Sequence, residues 1–304
     1  MTKEQIESIM SSCHLCPRDC GVDRTAGQRG RCGMTDRIMA ARAALHMWEE
    51  PCISGEEGSG TVFFSGCSLG CVFCQNHEIA LGDTGKEITV ERLAEIYLEL
   101  QDKGANNINL VTAGHFLPQV IQSLKMAKAQ GLQIPIVYNT GGYEKVEAIR
   151  MLDGLVDIYL PDMKYVSSEL SARYSGAPDY FAVASAALEE MVRQTGPAVF
   201  DEGEMMVRGT VVRHLLLPGC LEDSKAVIRY LYKTYGDQIY ISIMNQYTPL
   251  PHVSRWPELD RRITETEYDE LVDYAIDLGV ENGFIQEGET AEESFIPAFD
   301  IEGV

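Results

Sequence analysis

The feature that most limits the fold of this chain is a regular alternation of apolar runs and amphipathic stretches that begins at Thr61. Strands are predicted at 62–65, 108–112, 134–138, 156–160, within 205–217, and at 239–244. Helices are predicted at 90–103, 119–129, 144–151, 167–174, 179–194, 221–235 and 265–278, with Thr89 as the N-cap of the first. This alternation predicts an α/β fold of parallel strands joined by right-handed crossovers. Its six units are fewer than the eight of a closed TIM barrel.

Three cysteines follow the first predicted strand. They stand in Ser65-Gly-Cys67-Ser-Leu-Gly-Cys71-Val-Phe-Cys74, a C-x3-C-x2-C spacing. The glycines let the loop curl, and three thiolates this close suit one soft metal centre. Three ligands leave one iron of a [4Fe–4S] cluster free to bind another molecule, which indicates a reactive centre and not a storage site. Zinc is the alternative, but structural zinc prefers four protein ligands, and no fourth cysteine follows locally.

This cysteine pattern, with the aromatic Phe73 before its last cysteine, resembles the signature of the radical S-adenosylmethionine (SAM) superfamily. The resemblance implies that Cys67, Cys71 and Cys74 are catalytic and bind a [4Fe–4S] cluster whose free iron chelates SAM. It implies that one electron cleaves SAM to methionine and a 5′-deoxyadenosyl radical, which abstracts a hydrogen atom. The implied fold is a partial (βα)6 TIM-like radical SAM barrel with SAM at the carboxyl ends of the strands.

The chain as a whole resembles the branch related to pyruvate formate-lyase activating enzyme that carries an N-terminal four-cysteine segment. The match rests on Cys13-His-Leu-Cys16-Pro-Arg-Asp-Cys20-Gly, on Gln75-Asn76 after the last loop cysteine, and on Asn245-Gln-Tyr247. The branch name implies glycyl-radical installation on a partner enzyme, with a reduced flavodoxin or a ferredoxin-type protein as electron donor. Radical modification of another protein, a peptide or a small metabolite is the alternative. The non-enzymatic alternative is an iron–sulfur or zinc binding protein.

Candidate cofactor contacts follow the second and third strands, where parallel α/β folds gather their ligand-binding groups. After the second strand, the Gly-Gly-Glu stretch of most radical SAM enzymes is absent. Backbone groups of Thr112, Ala113 and Gly114 are the expected replacement, with His115 beside them or simply starting a helix. After the third strand, Asn139 and Thr140 resemble the Asp-Thr-Asn-Gly loop of glycyl-radical-enzyme activases, and an ordinary turn is the alternative.

Charged residues follow the fourth and fifth strands. Asp162 and Lys164 match the Asp-x-Lys of the activases, whose lysine reaches the SAM carboxylate; a surface ion pair is the alternative. Arg213 precedes a Pro-Gly, as in the same enzymes, and a guanidinium suits carboxylate recognition. The predicted cofactor-binding set is Phe73, Thr112, Ala113, Gly114, Asn139, Thr140, Asp162, Lys164, Arg213, Met244, Asn245 and Gln246, the last three facing adenine or substrate or capping a strand.

A second cysteine set lies in residues 1–60, which are predicted to form a cysteine-rich N-terminal segment before a barrel at 61–286. Cys13, Cys16, Cys20 and Cys32, with Gly or Pro next to several of them, predict a second metal site. Their spacing suits an iron–sulfur cluster and also a tetrahedral zinc ion. Of the remaining candidates, His46, Glu49 and Glu50 are expected in a solvated turn, and the alternative is that they reach the active site as acid–base groups. Cys52 and Cys220 are expected to be ordinary thiols.

Bulk composition excludes some functions. The formal net charge of −21 over 304 residues disfavours nucleic-acid partners, since such a surface repels phosphates. No apolar run approaches the ~20 residues of a membrane span, so no membrane partner is expected. Clustered cysteines without an N-terminal apolar signal predict a cytoplasmic, oxygen-sensitive protein. Residues 287–304 are predicted to form an acidic tail.

Overall fold

The computed structural model describes residues 1–82, 84–286 and 297–304. Its strands are β1 (Ile38–His46), β2 (Ser59–Phe64), β3 (Lys86–Ile88), β4 (Ile108–Val111), β5 (Ile136–Thr140), β6 (Ile158–Pro161), β7 (Val199–Phe200), β8 (Met206–Leu215), β9 (Tyr240–Met244) and β10 (Gly283–Ile285). Its α-helices are α1 (Lys3–Met10), α2 (Pro51–Ser54), α3 (His77–Ala80), α4 (Val90–Asp102), α5 (Leu117–Ala129), α6 (Val146–Arg150), α7 (Ser168–Ser175), α8 (Tyr180–Thr195), α9 (Leu221–Tyr235) and α10 (Glu265–Leu278).

The strands form one sheet in the order β10-β9-β8-β6-β5-β4-β2-β1-β3, with β7 paired to β8 off this path. Neighbours from β2 through β10 along this order are parallel, while β1 and β3 are antiparallel. The six predicted strands correspond to β2, β4, β5, β6, β8 and β9. The α/β prediction is thus confirmed, with Thr89 capping α4 through a bond from the Arg92 N–H.

The sheet begins earlier in the chain than the predicted boundary at residue 60. That boundary lies inside β2, and β1 pairs with β2 along most of its length. The sequence of β1, Ile-Met-Ala-Ala-Arg-Ala-Ala-Leu-His, is rich in alanine, which favours helix by propensity. Pairing with a completely buried β2 overrides that preference.

Residues before β2 also close the amino end of the barrel. Cys52 and Ile53 of α2 pack against Val137, Ile158 and Val211, which lie on the inner faces of β5, β6 and β8. Pro51 starts α2, where its missing N–H costs nothing. The carboxyl ends of the parallel strands are thereby left as the end at which a ligand site can form.

The C-terminal residues return to β1. The Ile301 N–H donates to the Ala41 carbonyl at 3.0 Å, and the Ala43 N–H donates to the Glu302 carbonyl at 2.8 Å. Residues 287–296, which include Glu287, Glu289, Glu292 and Glu293, lie outside the described residues, so the acidic tail remains a prediction. None of the helices in the described ranges is long and apolar enough to cross a membrane.

Candidate active site

The C-x3-C-x2-C segment forms the loop that leaves the carboxyl end of β2. Gly66 and Gly70 have φ of +88° and +65°, a region that glycine enters without a Cβ penalty. A Cβ on Gly66 would lie 2.6 Å from the carbonyl oxygen of Cys32. The chain therefore turns sharply on either side of Cys67, next to Cys32 of the N-terminal cysteine segment.

The thiols of this loop influence one another. Burial raises the pKa of Cys71 to about 11 and that of Cys74 to about 12, and the thiol of Cys67 adds to both shifts. Lys164 acts in the opposite direction on both. The Ser175 hydroxyl donates a hydrogen bond to Cys71 Sγ at 3.0 Å. Since thiolates, not thiols, bind metals, positive charge at this loop favours the ligating form.

A chain of alternating charges runs from this loop into the barrel. Lys164 Nζ donates to Asp162 Oδ2 at 2.6 Å, and Arg213 Nε donates to Asp162 Oδ1 at 3.1 Å. Arg213 also donates from Nη1 to Glu49 Oε2 at 3.0 Å and from Nη2 to Asn139 Oδ1 at 2.6 Å. Burial raises the pKa of Asp162, but the two cations outweigh it and hold that pKa below its usual value. Asp162 is therefore ionised and fixes both cations.

Lys164 lies beside the cysteine loop. Its Nζ is 5.8 Å from the centroid of the Phe73 ring, and Phe73 packs edge-on against Tyr165. Burial lowers the pKa of Lys164, but Asp162 outweighs this effect and the net shift is upward, so the ammonium is charged. The Lys164 and Asp162 side chains are only 17% and 16% exposed. The surface ion pair considered for them is therefore wrong.

Glu49 and Glu50 overturn the expectation of a solvated turn. The Glu49 side chain is 8% exposed, and besides Arg213 it bonds Asn109 Nδ2 at 3.0 Å. Glu50 is buried, and its Oε2 has no hydrogen-bond partner among the described residues. Burial raises the pKa of both carboxyls, and Arg213 opposes the shift. The sequence signal for Glu49 was Arg213 itself, because burying a guanidinium is costly and a nearby carboxylate offsets that cost.

The loop after β4 is strained at a predicted cofactor contact. Thr112 has φ of +58°, which for a β-branched residue costs of the order of 1–3 kcal/mol. Its N–H donates to the Asn139 carbonyl at 2.9 Å. Ala113 is fully buried, and Gly114 begins a 3₁₀ turn that ends at Phe116.

His115 lies in that turn. Its Nε2 is 2.7 Å from the Ser65 carbonyl oxygen, which ties the loop after β4 to the start of the cysteine loop.

The other predicted contacts divide between the two faces of the sheet. Asn139 faces the interior of the barrel, called the lumen below, where it bonds Arg213. The Thr140 hydroxyl instead donates to Glu144 Oε1 at 2.7 Å. At the end of β9, Met244 is buried, and the Asn245 N–H donates to Gln286 Oε1 at 2.8 Å.

Gln75 follows the last loop cysteine and donates through Nε2 to the Gln246 carbonyl at 2.6 Å. The loop after β9 is therefore fastened to the cysteine loop.

A groove of about 190 Å³ opens beside the lumen, lined by Arg42, Ala44, Leu45, His46, Met47, Trp48, Phe63 and Pro297. Trp48 is 60% exposed there, and Met47 is 42% exposed. Burial lowers the pKa of His46 to about 4, and Arg42 and Arg213 add to that shift. The groove thus lies within electrostatic reach of the buried charge chain.

The four N-terminal cysteines also lie near one another. Burial raises the pKa of Cys16 to about 12, with Cys32 and Cys20 contributing; burial also raises that of Cys32, with Cys13 and Cys20 contributing. The Arg31 N–H donates to Cys20 Sγ at 3.3 Å. Across both cysteine sets, the described ranges hold no group of three or more His, Cys, Asp or Glu that could hold a single metal ion.

Arg24 is fully buried against this second set. Its guanidinium donates to the carbonyls of Thr35 and His115 and to Cys13 Sγ, the last at 3.7 Å. No carboxylate in the described part of the chain forms an ion pair with Arg24. Arg24 was not singled out from the sequence, because its need for a counter-charge arises only from burial.

Residues 61–202 match the family described as the Radical SAM superfamily. An uncharacterized protein of Methanocaldococcus jannaschii is 28% identical over 279 residues, which cover 90% of this chain and 76% of that protein. The pyruvate formate-lyase-activating enzyme of Clostridium pasteurianum is 29% identical over 180 residues, which cover 56% of this chain and 66% of that enzyme.

Solved structures agree on the fold. SuiB of Streptococcus suis bound to its precursor peptide SuiA has a TM-score of 0.51 at 13% identity, covering 74% of this chain and 47% of that one. HydG, a maturase of the [FeFe]-hydrogenase, has a TM-score of 0.50 at 14% identity, covering 78% and 54%. The chain thus spans about half the length of these two proteins. The family match and the curated relative thus identify residues 61–202, which include the cysteine loop, as a radical SAM domain with homology to pyruvate formate-lyase activating enzyme.

Proposed function

We propose that this protein cleaves SAM reductively at a [4Fe–4S] cluster held by Cys67, Cys71 and Cys74, and uses the resulting radical on a protein substrate. One electron breaks the bond between the SAM sulfur and the 5′ carbon, methionine leaves, and the 5′-deoxyadenosyl radical takes a hydrogen atom from the substrate. The observation that carries the proposal is the three-thiol loop at the carboxyl end of the sheet, beside the partly buried Lys164 ammonium. A reduced flavodoxin or a ferredoxin-type protein is the proposed electron donor.

The residues of the site fit such a cluster. A cluster takes one thiolate on each of three irons and so holds its ligands farther apart than a single ion does. The three thiols lie close enough for this, since Cys67 raises the pKa of Cys71, and both of these thiols raise the pKa of Cys74. Lys164, oriented by Asp162, is the proposed partner of the SAM carboxylate. Phe73, residues 112–114, Asn139, Thr140, Arg213 and residues 244–246 are the further proposed contacts.

A second thiolate-bound metal centre at Cys13, Cys16, Cys20 and Cys32 completes the proposal. Burying a guanidinium without a counter-charge is costly, and Arg24 has no carboxylate partner among the described residues. Four thiolates around a zinc ion or an iron–sulfur cluster carry net negative charge, which Arg24 would neutralise. The proposed centre is an iron–sulfur cluster, and a tetrahedral zinc ion is the alternative.

The proposed substrate is a protein, which rests on the homology to an enzyme that activates another enzyme. A glycyl radical enzyme is the specific form that this homology suggests.

Anaerobic reconstitution with iron and sulfide tests the chemistry. With SAM and dithionite, the wild-type protein should form 5′-deoxyadenosine, and the triple variant Cys67→Ala, Cys71→Ala, Cys74→Ala should form none and hold about four fewer irons. Cys220→Ala is the matched control, since Cys220 lies in neither cysteine set, and it should behave as wild type. Product formation by the triple variant would refute the proposed cluster site.

A second experiment tests the substrate. A stable complex with a glycyl radical enzyme, together with a SAM-dependent radical signal on that partner, would support the activase role. Stoichiometric turnover of a small metabolite in the absence of any protein partner would refute the protein substrate and leave the SAM chemistry intact.

A further inference from the structure

Arg18 connects the two cysteine sets. It lies between Cys16 and Cys20 in the chain, in a turn that is closed by the Asp19 N–H donating to the Cys16 carbonyl at 3.0 Å. Its guanidinium donates from Nε to the Ser68 carbonyl at 2.8 Å and from Nη2 to the Leu69 carbonyl at 3.2 Å. Both acceptors belong to the loop between Cys67 and Cys71.

The same guanidinium holds a second segment. Nη2 donates to the Ser175 carbonyl at 2.9 Å, and Nη1 donates to the Gly176 carbonyl at 2.6 Å. This segment ends α7, and the Ser175 hydroxyl is the group that donates to Cys71 Sγ. Arg18 therefore joins the cysteine loop to the residue that hydrogen-bonds one of its thiols.

No charge pairing explains this placement. In the described part of the chain, Arg18 forms no ion pair, and all four of its guanidinium bonds go to backbone carbonyls of two segments far apart in sequence. The guanidinium carbon lies 5.1 Å from the centroid of the Tyr143 ring, whose hydroxyl donates to Asp179. A planar fork of donors stacked on a ring has a fixed direction, which lysine lacks.

We propose that Arg18 is a positioning residue that transmits the state of the N-terminal thiol site to the Cys67–Cys74 loop. Ligation of Cys16 fixes the backbone of Arg18, and Arg18 then fixes the loop and the end of α7 against each other. The N-terminal site thus acts as a brace for the SAM-cleaving centre. This inference rests on the proposed function, but it is a statement about loop order and has its own readout.

The readout is the Val72 amide. The Val72 N–H donates to the Tyr174 carbonyl at 2.8 Å, so it joins the two segments that Arg18 holds. Hydrogen exchange of peptides covering 65–76 should be measured on the anaerobically reconstituted full chain as wild type, Arg18→Ala, Cys16→Ser and the control Arg37→Ala. Arg37 is exposed and pairs with Glu87 on the surface.

Exchange should rise about tenfold or more in Arg18→Ala and in Cys16→Ser, and remain at the wild-type rate in Arg37→Ala. Formation of 5′-deoxyadenosine should fall roughly 10- to 100-fold in Arg18→Ala, since small misplacements of reacting groups have effects of that size. Adding SAM should also change the electron paramagnetic resonance signal of the reduced cluster, and this change should differ between Arg18→Ala and wild type. If Arg18→Ala does not fold, Arg18→Lys is measured in its place, and the same rise in exchange is expected.

Wild-type exchange in Arg18→Ala would overturn the positioning role. Raised exchange in Arg18→Ala with wild-type exchange in Cys16→Ser would overturn the link to the thiol site. If the wild-type protein itself forms no 5′-deoxyadenosine, the proposed function fails, while the exchange data still decide whether Arg18 holds the loop.

Discussion

Replacing Arg213 with methionine should destabilise the fold more than any surface charge change. The Arg213 side chain is 15% exposed and bonds Glu49, Asp162 and Asn139. Arg213→Met removes the cation and leaves two buried carboxylates, of which Asp162 keeps Lys164 and Glu49 keeps only amide partners. Removing one partner of a buried ion pair costs about 3–5 kcal/mol. We therefore expect the free energy of unfolding at pH 7.5 to fall by about that amount.

The pH dependence of this loss is specific. Arg213 lowers the pKa of Glu49 and of Asp162, so without it both folded-state values rise. A carboxyl whose pKa is higher in the folded state than in the unfolded state loses its proton at a cost in stability. This loss of stability is absent below the unfolded-state pKa and grows as the pH rises above it. The stability gap between wild type and Arg213→Met should therefore be largest near neutral pH and smaller near pH 5.

Urea denaturation under anaerobic conditions, followed by tryptophan fluorescence from pH 5 to 8, measures this gap. Arg37→Met is the control, because its exposed pair with Glu87 is worth about 0–1 kcal/mol. Adding Glu49→Gln to Arg213→Met should restore part of the loss, since it removes the orphaned carboxylate. A gap below about 1 kcal/mol, or one that does not change with pH, would refute the buried charge chain.

Three further predictions concern other parts of the site. Thr112→Gly should raise the free energy of unfolding by about 1 kcal/mol in thermal denaturation, because it relieves the φ of +58°, and should lower 5′-deoxyadenosine formation; a destabilised Thr112→Gly would contradict the strain. Arg24→Leu should lower the metal bound at the N-terminal thiols, measured as iron, zinc and sulfide per chain, while the cluster at Cys67, Cys71 and Cys74 remains; full metal content would argue against a counter-charge role. Burial lowers the pKa of His214 from 6.5 to about 4, so the stability that its neutral form contributes is present above pH 6.5 and is lost as the pH falls towards 4. The free energy of unfolding, measured across that pH range, should therefore fall less steeply in His214→Gln than in wild type. An equally steep fall in both proteins would contradict this prediction.

Much of the architecture follows from chain-local pattern. The strands β2, β4, β5, β6, β8 and β9 and the long helices are each visible as apolar runs or amphipathic periods, because such segments bury one face wherever they pack. The C-x3-C-x2-C spacing likewise indicates a metal loop, since three thiolates within eight residues reach one centre without help from the rest of the chain.

What the sequence left open depends on pairing across long separations. The alanine-rich sequence of β1 favours helix or coil, and only its pairing with β2 makes it a strand. The three-residue β10 is too short to carry a period, and only pairing with β9 makes it a strand.

The candidate site divides in the same way. By itself, the sequence determined the parallel α/β class and both sets of cysteines, because these depend on residue type and local spacing. Only the tertiary structure decided that Glu49 enters the lumen to meet Arg213, that Arg24 is buried without a carboxylate among the described residues, and that Arg18 joins two loops. The physical reason is that a charge needs a partner only once burial removes its water, and burial is a property of the assembled fold.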